Sequence, residues 1–159
     1  MDELLDLLMT NARESSQTLA KMLGTTTEDV EQRIKKYQQD GVIRAFKAVV
    51  NEEKLNTHDV WAAIELRVQP QQGGGFDCIA SRISQFEEVD SVVLMSGSYD
   101  LLLFVKGKSL QDVAGFVSAR LSTIDGVLST ATHFMLKTYK DQGVLMERDK
   151  DDARLQICL

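Results

Sequence analysis

Residues 15–43, SSQTLAKMLGTTTEDVEQRIKKYQQDGVI, decide the reading of the first part of the chain. Ser15 or Ser16 stands as an N-cap before Leu19, Ala20, Met22 and Leu23, which recur at helical spacing, and Gly24 ends that run. Thr27 with Glu28, Asp29 and Val30 then reads as a capped helix start, its acids favouring the positive end of the helix dipole. This helix carries Val30, Ile34 and Tyr37 on one face with Arg33, Lys35 and Lys36 around it, and Gly41 closes it. Two short helices across a Gly-containing turn make a helix-turn-helix when another helix precedes them. One does: Leu4, Leu5, Leu7 and Leu8 repeat at three- and four-residue intervals before Asn11-Ala12-Arg13 breaks the run.

Downstream of Gly41, VIRAFKAVV (residues 42–50) is rich in β-branched and aromatic side chains and predicts an extended, wing-like strand. Residues 51–59, NEEKLNTHD, are polar and separate two regions of different hydrophobic period, so a hinge is expected there. Beyond it, strand and helix patterns alternate. Val60 to Val68 predicts a strand, and the glycines after Pro70 its exit loop. Phe76, Ile79, Ala80, Ile83 and Phe86 have helical spacing. Val89 to Ser96 predicts a second strand, Gly97-Ser98 a turn and Tyr99 to Val105 a third. Val113, Phe116, Val117, Leu121 and Ile124 predict a further helix, and Val127 to Tyr139 a long fourth strand. The order strand, helix, strand, strand, helix, strand is the split βαβ, or ferredoxin-like, topology. A shift of 35 residues lays Phe86, Val89, Asp90 and Val92 on Leu121, Ile124, Asp125 and Val127, in keeping with two related halves.

The expected fold is therefore α+β. Residues 1–50 form a three-helix, winged-helix-like helix-turn-helix domain, 51–59 a linker, 60–140 a ferredoxin-like βαββαβ domain, and 141–159 a charged tail, either a short amphipathic helix or a frayed end. Leu101 to Val105 is apolar on both parities, and Trp61 and Ala63 break the alternation of the first strand. A sheet with one face under helices should show water a polar second face. An apolar one implies another layer, most simply the sheet of a second copy.

The chain has 159 residues, 43% hydrophobic and 26% charged, with a formal net charge of −6. That composition excludes a disordered or collagen-like chain. The acidity argues against a nucleic-acid partner only until it is divided by region. Residues 1–50 hold seven Lys/Arg and eight Asp/Glu, net −1, while the rest holds 11 and 16, net −5. The excess lies largely outside the helical region, so DNA stays open, with low non-specific affinity per subunit. Two cysteines, Cys78 and Cys158, are too few for a disulfide framework or a zinc site. No stretch reaches the roughly 18 consecutive apolar residues of a membrane span, and a cytoplasmic protein is expected.

The stretches NARESSQTLAKMLGTTTEDVEQRIKKYQQDGVIRAF (residues 11–46), SGSYDLLLFV (96–105) and IDGVLSTATHFMLKTYK (124–140) together resemble the leucine-responsive regulatory protein/AsnC family of prokaryotic transcription regulators. The resemblance covers most of the chain, from about Asp2 to Lys140. It implies a sequence-specific regulator of amino-acid metabolism genes that binds double-stranded DNA. It further implies a homodimer assembling into tetramers or octamers and an amino-acid effector; the residues themselves show no nucleophile triad, phosphate loop or metal-ligand spacing, so no cofactor, no metal and no catalysis are expected. The recognition helix falls on Thr26 to Gln39, with Thr26, Thr27, Gln32, Arg33 and Lys36 as DNA contacts: Thr hydroxyls and helix amides suit phosphates, Gln32 and Arg33 base edges. The acids Glu28, Asp29 and Glu31 depart from what a phosphate surface favours. The implied effector site comprises Met95, Ser96, Gly97, Ser98, Tyr99, Asp100 and Leu101, with Thr130 and Thr132 opposite; amides and hydroxyls would hold a carboxylate and Asp100 an ammonium. Two alternatives stay open: a tetrapyrrole (sirohaem-type) decarboxylase-like enzyme of the same fold, using His58 and His133, or a co-assembling regulator with weak DNA binding.

Overall fold

The computed structural model describes residues 2–55, 57, 59–70 and 75–147. The chain divides into two compact units, Met1–Val49 and Val50–Leu159.

The first unit contains three helices, α1 (Glu3–Thr10), α2 (Ser16–Leu23) and α3 (Thr27–Gln39). Each start is capped by a short polar side chain that satisfies an amide with no partner inside its helix. Asp2 accepts from Leu4 N, Ser15 from Thr18 N and Thr26 from Asp29 N. Thr27, the expected cap, is instead the first helical residue. Gly24 closes α2 at φ 64°, a left-handed conformation that glycine adopts at little cost, and Thr25 N then donates to Ala20 O at 3.0 Å. The turn between α2 and α3 is therefore three residues, Gly24 to Thr26. After Gly41, Ile43 N donates to Tyr37 O at 3.0 Å, which folds the chain back so that Ile43 packs on the core of Leu4, Leu8, Leu19, Ala20 and Val30. Residues 42–50 belong to no sheet, contrary to the expected wing. Strand propensity needs a hydrogen-bonding neighbour to become a strand, and neither sheet recruits this run.

The second unit carries β1 (Val60–Val68), α4 (Asp77–Ile83), β2 (Val89–Leu94), β3 (Leu101–Gly107), α5 (Leu110–Phe116) and β4 (Val127–Phe134). The sheet order is β2-β3-β1-β4 with every pair antiparallel, the ferredoxin-like arrangement. Ala62, Ile64, Leu66 and Val68 of β1 and Leu101, Leu103 and Val105 of β3 form the buried face, against Ile79 and Ile83 of α4 and Val113 and Phe116 of α5. A π-helical turn, Val117–Leu121, ends α5 and buries Leu121. Its Arg120 stacks 4.4 Å from the Phe86 ring centre and pairs with Glu88 at 2.6 Å.

The strands are shorter or shifted relative to the pattern in the sequence. β2 stops at Leu94, β3 runs from Leu101 to Gly107, and β4 stops at Phe134. The last difference has a simple cause. Ala62 pairs with Phe134 and Trp61 O takes Met135 N at 2.8 Å, after which β1 has almost no residues left to offer. The chain then makes a small hairpin, β5 (Lys140–Asp141) and β6 (Val144–Leu145), at the start of the expected tail. Gln142 and Gly143 both have positive φ, 44° and 85°, as a two-residue hairpin with matching twist requires. Residues 148–159, the rest of the expected tail, lie outside the described residues.

The expected linker is folded onto this unit. Glu52, in a 3₁₀ turn, accepts from Trp61 Nε1 at 2.5 Å and pairs with Lys106 at 3.2 Å. Asp59 reaches the same ammonium at 2.9 Å, and Asn51 donates to Met146 O at 2.8 Å. Trp61, Ala63, Leu102 and Phe104 are half-buried on the sheet face away from the helices, and Val93 beside them is exposed.

Candidate nucleic-acid interface and effector loop

The site begins with the two periodicities of α3. Val30 is buried and Arg33, Ile34 and Tyr37 are half-buried, which fixes the inward face. At 3.6 residues per turn the opposite face holds Glu28, Gln32, Lys35 and Gln39, all exposed, with Glu31 and Lys36 on its flanks. Lys35 and Lys36 form no ion pair among the described residues. Thr26 is exposed at the helix start but its hydroxyl accepts from Asp29 N at 3.2 Å; Thr27 is half-buried. Gln32 and Lys36 are both exposed, one on this outward face and one on its flank.

Arg33 is turned toward α1. Its Nη2 lies 2.5 Å from Asp2 Oδ1 and its Nη1 3.5 Å from Asp29 Oδ2, and the Tyr37 hydroxyl donates a short hydrogen bond to the other oxygen of Asp2. The Tyr37 hydroxyl, then Arg33, then the Leu4 amide hold the Asp2 carboxyl down to about 2. The same contacts push the Tyr37 phenol and the Arg33 guanidinium upward, in both cases chiefly through Asp2. Asp29 also accepts from Thr25 Oγ1 at 3.0 Å, so one of the three acids at the start of α3 is already partnered within the unit. Asp2 was legible as an acidic residue ahead of an apolar helix, the usual sign of a cap; its second role toward Arg33 has no local signal.

In the second unit, Met95 to Leu101 link β2 to β3. Met95 N donates to Asp100 O at 2.8 Å and Asp100 N to Leu66 O at 2.9 Å, while Asp100 Oδ2 accepts from Val68 N at 2.8 Å. One carboxylate oxygen of Asp100 therefore ties the turn to the end of β1. Ser96, Gly97 and Ser98 are exposed, and a Cβ placed on Gly97 would meet nothing within 4 Å. Thr130 and Thr132 pair with Leu66 and Ile64 and so share the helix-facing side of the edge strand β4. β1 lies between them and β3, a separation of about 10 Å for two interstrand spacings. One chain places the turn and Thr130 at the same end of the sheet without bringing them into contact.

His133 lies on β4 facing Glu65, Nε2 to Oε1 3.4 Å, and His58 is outside the described residues. Among the described residues no three His, Cys, Asp or Glu side chains are grouped to hold a metal ion, and no helix is long and apolar enough to cross a membrane. Cys78 is exposed; Cys158 falls outside the described residues.

A helix-turn-helix with an outward polar row on its second helix, followed by a sheet domain with its own core, is the build of a DNA-binding regulator. Residues 3–38 match the AsnC-type helix-turn-helix domain and residues 62–145 the Lrp/AsnC ligand binding domain. The HTH-type transcriptional regulator YugG of Bacillus subtilis (strain 168) is 44% identical over 156 residues, 98% of this chain and 94% of that one. Among solved structures, E. coli AsnC superposes with a TM-score of 0.65 at 25% identity, covering 87% of this chain and 93% of its own. A transcriptional regulator of Neisseria meningitidis, solved as a complex with L-Met, shares the fold with a TM-score of 0.69 at 22% identity, over 89% of this chain and 93% of that one. The protein belongs to the Lrp/AsnC family of transcription regulators.

Proposed function

We propose that this protein binds operator DNA as a homodimer or higher oligomer, in the cytoplasm, and changes its occupancy in response to an amino acid, controlling genes of amino-acid metabolism. The observation that carries the reading is the pairing of a complete helix-turn-helix, with α3 exposed along its outward row, with a ligand-binding domain of this family. Thr26, Thr27, Gln32 and Lys36 supply contacts to the duplex: hydroxyls and amides at the helix start suit phosphate, Lys36 a phosphate on the flank, and Gln32 a base edge.

Support for assembly comes from the sheet. Trp61, Ala63, Leu102, Phe104 and Val93 give the outer face an apolar character that a second copy would cover, and a two-fold pair of units matches a two-fold operator. Such a dimer would place its α3 helices about 34 to 36 Å apart along one side of the duplex. Support for an effector comes from the turn 95–101, whose exposed Ser96, Gly97 and Ser98 leave room beside hydroxyls and amides. Since β1 separates Thr130 and Thr132 from that turn within one chain, in this reading they belong to the site through another copy. The L-Met complex of the Neisseria regulator makes an amino acid the first class to test.

The experiment is selection of bound duplexes from a random pool by the full-length protein, with and without a mixture of the twenty amino acids. A palindromic motif whose enrichment changes with the mixture supports the whole reading. A motif unaffected by any amino acid removes the effector and leaves the regulator.

A further inference from the structure

The row that faces outward on α3 and the residue with the strongest base-reading chemistry do not coincide. Arginine is the usual bidentate reader of guanine, yet Arg33 sits on the inward half of α3 and has two carboxylates as partners within its own unit. Releasing it to a base would strand the Asp2 carboxylate, already engaged by Tyr37 and by Leu4 N, without its counter-ion. The outward row contains instead a carboxylate, an amide and an ammonium: Glu28, Gln32 and Lys35.

We propose that Arg33 is a positioning residue, held by Asp2 to fix α3 against α1, and that Glu28, Gln32 and Lys35 are the base-reading row, with Glu28 selecting cytosine. The inference rests on the DNA-binding reading of α3. A free carboxylate at the end of a helix that approaches a polyanion is repelled unless it finds donors. In the major groove the donors are the exocyclic amino groups, and the cytosine N4 amino group is the standard partner of a glutamate. Glu28 is exposed in the first turn of α3, where the helix dipole favours its charge. Asp29 differs from it by one position and is consumed by Thr25 and Arg33; Glu31 lies on the flank. Gln32 follows Glu28 by one turn and offers the paired donor and acceptor that adenine N7 and N6 require, and Lys35 follows with a donor for guanine O6 or N7.

The same random-pool selection, run on full-length wild type, E28A, E28Q, R33A, R33K and D2N, separates the two roles. E28A and E28Q are expected to lose, by about tenfold, the preference for cytosine at one position of each half-site and to keep the others. R33A and D2N are expected to weaken binding by about tenfold to every sequence alike, leaving the selected motif unchanged, with R33K in between. The double variant D2N/R33A should be no weaker than R33A alone, because both remove one clamp. Circular dichroism confirms that each variant is folded, and D2N keeps an N-cap for α1 since asparagine caps as well as aspartate. An R33A motif that loses one position, or an E28A motif identical to wild type, overturns the assignment while the regulator stands. A wild-type chain that selects no motif overturns the regulator reading, and this inference with it.

Discussion

Arg33 and Asp2, separated by 31 positions in the chain, meet at 2.5 Å, and Tyr37 closes on the same carboxylate one helical turn further along. The contact joins the residue ahead of α1 to the middle of α3, and so ties the first helix of the unit to the third. Both side chains are about one-third exposed, and the carboxylate is held by three donors at once, Arg33, Tyr37 and the Leu4 amide, rather than by a single ion pair.

Acid should undo this contact in a defined window. Asp2 is held to about 2, below its ordinary value of 3.8, so its stabilising effect is complete above pH 4 and disappears as the pH falls through 2. Thermal melts of wild type and Asp2→Asn from pH 5 to pH 2 test this. The gap between the two is expected to be widest near pH 5 and to close by pH 2; a constant gap would contradict it.

Thr26→Ala removes the hydroxyl that accepts from Asp29 N, and should cost about 1 kcal/mol of helix stability. Thr26→Ser should restore most of it. Urea titration followed by helical circular dichroism gives both values.

Gly107→Ala and Gly97→Ala form a contrasting pair. A Cβ at Gly107 would lie 2.8 Å from Val113 Cγ2, and Val113 is buried in the core with nowhere to retreat, so a loss of about 1–3 kcal/mol is expected. Gly97 meets nothing, and its substitution should shift stability by less than about 0.5 kcal/mol. Equal denaturation midpoints for the two variants would refute the packing argument.

Lys36→Ala should weaken binding to all duplexes and lower the slope of log affinity against log salt by about 1 per subunit, as expected for a single lost phosphate contact. Gel shifts between 50 and 200 mM salt, on one operator and one unrelated duplex, measure it. An unchanged slope would place Lys36 away from the backbone.

Much of this architecture was legible because its causes are local. Ser15, Gly24 and Gly41 each act within one turn of chain, and the alternation of β1 survives into a buried row from Ala62 to Val68. What escaped depends on partners remote in sequence. The end of β4 is set by where β1 begins, and residues 42–50 lack a strand because no sheet takes them up. Arg33, which the resemblance gives as a contact to base edges, pairs with Asp2, and the sequence around it contains no hint of that partner. Asp100 looked free for a ligand, whereas the amide of Val68 already occupies one of its oxygens. Thr130 and Thr132 are near the 95–101 turn only by row, since strand order separates them by β1.

The chain has one tryptophan, and its indole N–H is held by Glu52 while the ammonium of Lys106 lies 5.2 Å from the ring centre. Trp61 therefore sits in an electric field supplied by two charges of opposite sign, one on the segment leading into the sheet and one on β3. Indole emission is sensitive to such fields and to hydration. The molecule consequently carries an intrinsic optical gauge at its outer sheet face: without any label, a colour shift would announce that a second copy had covered the ring or that the Glu52 segment had let it go.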